Sequence, residues 1–168
     1  MIKSIIRSEL RECLDVLKAG YEDIAIKFGM TEDNCPYRGR TRLPFVEFEK
    51  EFLTGYQMYG YFFQEKLVGF LSLVFKENRM DIHDLAILPE YQNNGFGSDL
   101  MRFAKEKAAE RKCERIMLGM IDDNKRLKDW YEKHGFITID QKRFDTVTYT
   151  VGKMECVTEV RICQLSSP

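Results

Sequence analysis

No stretch of this 168-residue chain approaches the ~18 consecutive apolar residues that a membrane-crossing helix needs, so no membrane partner is expected. An excess of either charge is also missing. Twenty-six basic and 27 acidic residues leave a net charge of −1, which gives no global field to hold a polyanion, and nucleic acid is not an expected partner. The five cysteines, at 13, 35, 113, 156 and 163, form no Cys-x-x-Cys pair, and only two histidines could complete a metal site. No metal is therefore expected, and an odd count of thiols argues against a secreted disulfide scaffold. They read as small, reduced hydrophobes. Cys35, followed by Pro36, has no neighbouring histidine or clear helix terminus to lower its pKa and is read as structural. Lys3, Arg7 and Glu9 interrupt the apolar residues of the first ten positions, so no signal-peptide core is visible and a cytoplasmic location is the default expectation.

What is present is hydrophobic patterning for one domain of moderate size. Ile2, Ile5 and Ile6 suggest a short strand. Leu10, Cys13, Leu14 and Leu17 follow at helical spacing, with Ser8 placed to cap and Gly20 to stop. A second helical stripe, Tyr21, Ile24, Ala25 and Phe28, ends at Gly29. A third, Phe45, Phe48 and Phe52, has Pro44 in its first turn and closes at Gly55. A polar loop, Thr31 to Leu43, separates the two.

From Tyr59 the pattern becomes aromatic and β-branched. Tyr59–Phe63, Leu67–Phe75 and Met80–Leu88 read as three antiparallel strands joined by short turns, with Pro89 ending the last. Leu100, Phe103, Ala104 and Ala108 mark a long amphipathic helix to about residue 111. Arg115–Ile121 reads as a strand, Asn124–His134 as a helix stopped by Gly135, and Ile137–Arg143 with Thr146–Met154 as a closing hairpin. The tail from Glu155 to Pro168 is either an added edge strand or poorly ordered.

Gln92-x-x-Gly95-x-Gly97 lies directly after a strand and directly before a helix, where unpaired backbone N–H groups and the helix dipole converge on an anion. The glycines let the backbone approach a ligand closely, and Gln92 adds a side-chain donor. A glycine pair at this spacing also fits a plain strand-to-helix connection with no ligand. A Walker loop would need a lysine where Ser98 and Asp99 follow Gly97, and a dinucleotide fingerprint would need a small residue in place of Leu100.

The run Asp84-Leu85-Ala86-Ile87-Leu88-Pro89-Glu90-Tyr91-Gln92-Asn93-Asn94-Gly95-Phe96-Gly97 resembles the cofactor motif of the GNAT N-acetyltransferase superfamily, Gln/Arg-x-x-Gly-x-Gly/Ala after an apolar strand. Downstream, Asn124-x-x-Leu127-x-x-Trp130-Tyr131-x-x-x-Gly135-Phe136 resembles that superfamily's second signature helix. The likeness covers Tyr59 to Met154 closely and residues 1–58 in pattern only. It implies a single-domain α/β (α+β) GNAT-like fold, a mixed central sheet of about six to seven strands with helices on both faces. It also implies an organisation of 1–58 as an acceptor-side helical part, 59–154 as an acetyl-CoA-binding core and 155–168 as an edge strand or tail.

The implied activity is an N-acetyltransferase moving acetyl from acetyl-CoA to a primary amine of a small molecule or peptide, without a metal. A non-catalytic acyl-CoA-binding regulatory module is the alternative. The resemblance implies that strands 84–88 and 115–121 splay apart and that coenzyme contacts come from Leu85, Ala86, Ile87, Gln92, Asn93, Asn94, Gly95, Phe96, Gly97, Ser98, Asn124, Leu127 and Tyr131. An Asn at 124 is equally explained as a helix N-cap. Tyr131 is the implied acid for the departing thiolate. Asp81 and His83, alternating on one strand face, are the candidate bases; the superfamily often has a glutamate at such a position, and neither is one here. An imidazole, with a reference pKa of ~6.5, suits proton uptake at neutral pH better than a carboxyl at ~3.9. Backbone N–H groups of Leu85 and Ile87 are the implied partners of the thioester carbonyl and the pantetheine amide, which ties oxyanion support to the main chain. Arg38, Arg40 and Arg42 could meet an anionic group on the acceptor, or form a solvated basic loop. A homodimer through Thr146 to Cys163 is a further expectation, because members of the superfamily often pair through sheet edges.

Overall fold

A computed structural model describes residues 1–31, 40–145, 147 and 149–159. Its core is a seven-stranded mixed sheet in the order β1-β2-β3-β4-β5-β7-β6. The strands are β1 (Ile2–Ser4), β2 (Gln57–Phe63), β3 (Lys66–Lys76), β4 (Arg79–Ile87), β5 (Arg115–Ile121), β6 (Ile137–Arg143) and β7 (Thr150–Val157). The helices are α1 (Leu10–Lys27), α2 (Phe45–Leu53), α3 (Phe96–Glu110) and α4 (Lys125–Lys133). Helices α1 and α2 cover one face of the sheet through Leu10, Leu14, Leu17 and Phe48. Helix α3 and Tyr131 of α4 cover the other, through Leu100, Met101, Ala104 and Ala108. The expected two-faced mixed sheet is thus what the apolar stripes build.

Three expectations need correction. Gly20 does not stop a helix: α1 runs unbroken from Leu10 to Lys27. A Cβ at Gly20 would lie 2.9 Å from the Ala86 Cβ and 3.1 Å from the Ile87 carbonyl oxygen. The glycine is a notch that lets α1 press onto β4, a tertiary reason that sequence periodicity does not display. Nor does Ser8 cap this helix. It sits in the 3-10 turn Arg7–Glu9, and the Glu9 carboxylate accepts the Ile6 N–H at 2.9 Å instead. The last strand runs to Val157 rather than ending at Met154, because the buried alternation Gly152, Met154, Cys156 continues. β7 lies between β5 and β6 and pairs with both. Residues 160–168, including Cys163, lie outside the described residues, as do Cys35 and Arg38.

The notch gives a prediction whose sign is informative. On helix propensity alone, Gly20→Ala would add about 1 kcal/mol. Overpacking against Ala86 and Ile87 costs about 1–3 kcal/mol. Urea denaturation should therefore show a net loss of stability; a gain would mean that α1 does not pack on β4 this closely.

The feature that positions the site is a bulge. Ser72 of β3 pairs with Asp84 and Leu73 pairs with Ile82, leaving His83 as an extra residue in β4. Before the bulge Met80 and Ile82 face the α3 layer; after it Leu85 and Ile87 do, while Ala86 and Leu88 face α1. A bulge also bends its strand and increases local twist. β4 pairs in parallel with β5 only over Arg79–Asp81 against Arg115–Met117. Beyond that point the two strands part.

Candidate active site

The parting exposes one edge of β4. Leu88 N–H donates to the Val68 carbonyl at 2.9 Å, on the β3 side. Strand alternation then directs the N–H groups of Ile87 and Leu85 to the opposite, opened edge. Ala86 differs from its neighbours: it pairs with Phe70 of β3, and its side chain is buried beneath Gly20.

At the end of that edge β4 passes into the loop before α3. The Gln92 side chain folds back, its Nε2 donating to the Ile87 carbonyl at 3.4 Å. Asn94 Nδ2 donates to the carbonyls of Tyr91 and Gln92. Asn93 adopts a left-handed φ of 62° and its Oδ1 accepts from Arg126 of α4 at 2.6 Å. Gly95 is the α3 N-cap at φ 84°, and nothing lies within 4 Å of the position a Cβ would take there. The first α3 turn bond is Asp99 N–H to the Gly95 carbonyl, so the preceding amides of Phe96, Gly97 and Ser98 belong to the unpaired start of the helix. An open glycine, a helix N-terminus and an adjacent free strand edge fit a phosphate-bearing, amide-containing ligand such as coenzyme A. Gly97 packs beside Trp130, whose ring is 3.5 Å from the position of its missing Cβ.

Helix α4 delivers Tyr131 to the same region. Asn124 caps that helix by accepting the Leu127 N–H at 3.4 Å. Leu127 packs, half-buried, on the α3-side core. Tyr131 is buried between Trp130 and Phe136, with ring centroids 5.1 and 5.8 Å away. Burial pushes its phenol up to about 12, so the hydroxyl keeps its proton through the neutral range.

Across the cleft, α1, α2 and the 3-10 turn Arg40–Arg42 build a polar cluster on the α1 side of β4. The bulge turns both His83 and Asp84 toward this layer, although they are sequence neighbours. Arg40 Nε and Nη2 donate to Asp84, the former at 2.7 Å. Arg40 Nη1 and Nη2 grip Glu51 at 2.7 and 2.8 Å. His83 Nε2 stands 3.5 Å from Glu51 Oε1, and the Tyr56 ring meets the imidazole edge-on, centroids 4.9 Å apart. Burial works to raise the Glu51 carboxyl, but the hydrogen bonds and charge of Arg40 and His83 bring it down to about 2. Burial pushes Asp84 up, and Arg40 pulls it back. Tyr21, one residue past the α1 notch, is pushed up by burial and by the nearby Asp84 and Tyr131, against Arg40 and the Leu85 amide. Tyr21 and Tyr131 thus approach the opened edge from opposite faces.

Arg40 is not available for an anion on an acceptor, since its guanidinium is shared between two carboxylates. Asp81 lies in the closed part of β4, its carboxylate taken by Lys76 at 2.7 Å and Arg79 at 2.9 Å; it does not share His83's surroundings. Sequence reasoning missed Tyr21, Glu51 and Asp84. Tyr21 reads as one more member of an apolar stripe, and Glu51 as a solvent-facing residue of α2. Asp84 alone carried a signal, an acid within an otherwise apolar strand end.

Residues 27–136 match the Acetyltransferase (GNAT) family. Thialysine N-epsilon-acetyltransferase of Bos taurus is 30% identical over 69 residues, 41% of each chain; the chain therefore matches less than half the length of that curated relative. Among solved structures, the ribosomal-protein-S18-alanine N-acetyltransferase of Escherichia coli superposes with TM-score 0.75 at 14% identity, covering 94% of this chain and 92% of that one. A PaiA N-acetyltransferase of Thermoplasma acidophilum, solved with coenzyme A, gives 0.72 at 18% identity, over 94% and 98%. With the opened β4 edge, the α3 loop and a family match across both, this chain belongs to the GNAT acetyltransferase family.

Proposed function

We propose that this chain moves an acetyl group from acetyl-CoA directly to a primary amine of a small molecule or peptide. The carrying observation is convergence: the α3 N-terminus, the outward amides of Leu85 and Ile87, and the Tyr131 side of α4 all meet along one opened strand edge. In this reading residues 59–154 form the coenzyme-binding core and 1–58 the acceptor side of one acetyltransferase domain. The names of the cattle and E. coli relatives, both N-acetyltransferases, support nitrogen as the acceptor atom.

The bound cosubstrate supplies an activated acetyl thioester. The residues of the chain supply the rest. Amides of Phe96, Gly97 and Ser98, with the α3 dipole, hold the phosphates, and Arg126 steadies Asn93 at the rim. The N–H of Ile87 supports negative charge developing on the carbonyl oxygen, while that of Leu85 faces the Tyr21 hydroxyl. His83 takes the ammonium proton of the acceptor, which is needed because an amine of pKa ~10.4 is almost wholly charged at neutral pH. Tyr131 donates its proton to the departing sulfur. Asp81, already engaged by two cations, has no part in this scheme.

Calorimetric titration of acetyl-CoA, coenzyme A, ATP and NAD into the protein tests the reading. We expect micromolar binding of the two coenzyme forms alone, followed by thiol release with an amine acceptor in a panel screen. Tight coenzyme binding with no transfer to any amine would favour a regulatory acyl-CoA-binding module. A preference for ATP or NAD would overturn the assignment of the loop.

A further inference from the structure

His83 owes its orientation to groups outside its own strand. The bulge swings it to the α1 side of β4, Tyr56 fixes its ring plane edge-on, and the carboxylate of Glu51 stands at its Nε2. Glu51 is itself held in one rotamer by the two-pronged grip of Arg40, and Arg40 is anchored by the fully buried Asp84. The chain Asp84–Arg40–Glu51–His83 therefore runs from the buried interior to a half-exposed imidazole.

We infer that Glu51 is a positioning residue for His83: its carboxylate fixes the ring with Nε2 protonated, leaving the Nδ1 lone pair to take a proton from the acceptor ammonium. This rests on the reading of His83 as the base. A carboxylate can only accept, so the nitrogen facing it must carry the hydrogen. The 3.5 Å separation is longer than an ordinary N–H···O hydrogen bond, as catalytic contacts often are before substrate binds. In the step, the acceptor N–H bond breaks and an Nδ1–H bond forms. The resulting imidazolium is stabilised by Glu51 until it releases the proton to solvent. The other charged or titratable groups about the ring are Tyr56 after α2, Asp84 beside it on β4, and Arg40; Tyr21 of α1 lies next to Asp84. A network that merely tied α2 to β4 would leave kcat and the acidic limb of kcat/KM unmoved in Glu51→Gln.

The chain has only two histidines, which makes the tautomer directly readable. His134 Nδ1 faces the Trp130 carbonyl at 2.7 Å, and a carbonyl only accepts, so His134 should be the Nδ1–H form. Long-range nitrogen–proton spectra of the full chain at alkaline pH should therefore show one imidazole of each tautomer, assigned by loss of one pattern in His134→Gln. An Nδ1–H form for His83, or a rapid mixture, overturns the inference without requiring any activity. In kinetics, Glu51→Gln should lower kcat about tenfold and move the acidic limb of kcat/KM to lower pH, since the imidazolium loses its counter-charge. Affinity for the coenzyme should stay unchanged. Glu51→Asp keeps the charge but withdraws it by one methylene, and serves if the glutamine variant does not fold; its limb should shift less. If the limb survives in His83→Ala, the base is another group and this inference falls with that reading. If His83→Ala abolishes the limb while Glu51→Gln leaves both limb and kcat unmoved, the positioning role alone is wrong.

Discussion

Tyr131→Phe should bind coenzyme A as tightly as the parent chain and turn over about 100-fold more slowly, the scale of effect of a well-placed general acid. Only one oxygen is lost from a buried ring whose contacts are with Trp130 and Phe136, so packing is kept and affinity should hold. The separation of binding from turnover is what identifies the hydroxyl as a proton donor rather than a filler of the core. Its pH behaviour follows from its burial. A phenol pushed up to about 12 is protonated, and competent to donate, at every pH below that value. The parent chain should therefore show no basic limb from this group below about pH 10, the reference value for tyrosine. The same shift makes the folded state retain a proton that the unfolded chain releases, so Tyr131 lowers stability as pH rises from the reference value toward its own. Stopped-flow measurement of thiol release beside calorimetric affinity checks both halves. Unchanged turnover would remove Tyr131 from the chemistry and direct attention to Tyr21, the other phenol reaching the opened edge.

How far the sequence led depended on whether an element was governed by local pattern or by distant packing. The three central strands, the glycine loop and α3 were legible because alternation, Pro89 and the Gly95-x-Gly97 spacing are local signals. α1 was misread as two helices because Gly20 looks like punctuation along the chain and is a packing notch across it. The β4 bulge was invisible for the same reason: a run from Met80 to Ile87 alternates plausibly whether or not His83 is an extra residue, and only pairing to β3 decides it. That single residue puts His83 and Asp84 on one face, just past the point where β4 and β5 part. The loop cation was read as a candidate partner for an external anion, whereas Arg40 finds its anions in Asp84 and Glu51, residues 44 and 11 positions away. Chemistry carried by motifs was therefore visible early. Chemistry carried by register and by long-range ion pairs was not.

Gly97→Asp should weaken coenzyme A binding at least 100-fold while leaving the fold as stable as before or slightly more so. The position is the second residue of α3, where a carboxylate interacts favourably with the helix dipole, by about 0.3–1 kcal/mol. A Cβ there meets Trp130 at 3.5 Å and Ile87 at 3.9 Å, ordinary contact distances, so the aspartate costs little in packing. What it does to a phosphate is the reverse: it sets a like charge among the amides that would hold the anion, and fills space beside them. Stability and affinity should thus move in opposite directions, which separates a damaged site from a damaged fold. Thermal denaturation without ligand, paired with calorimetric titration of coenzyme A, reads both. Retained micromolar binding would place the phosphates somewhere other than the α3 N-terminus, and with them the whole alignment of the cosubstrate along β4. Loss of binding at unchanged stability would tie the anion to this helix end, and would leave His83 and Glu51 on the far side of the opened strand as the groups that face the acceptor.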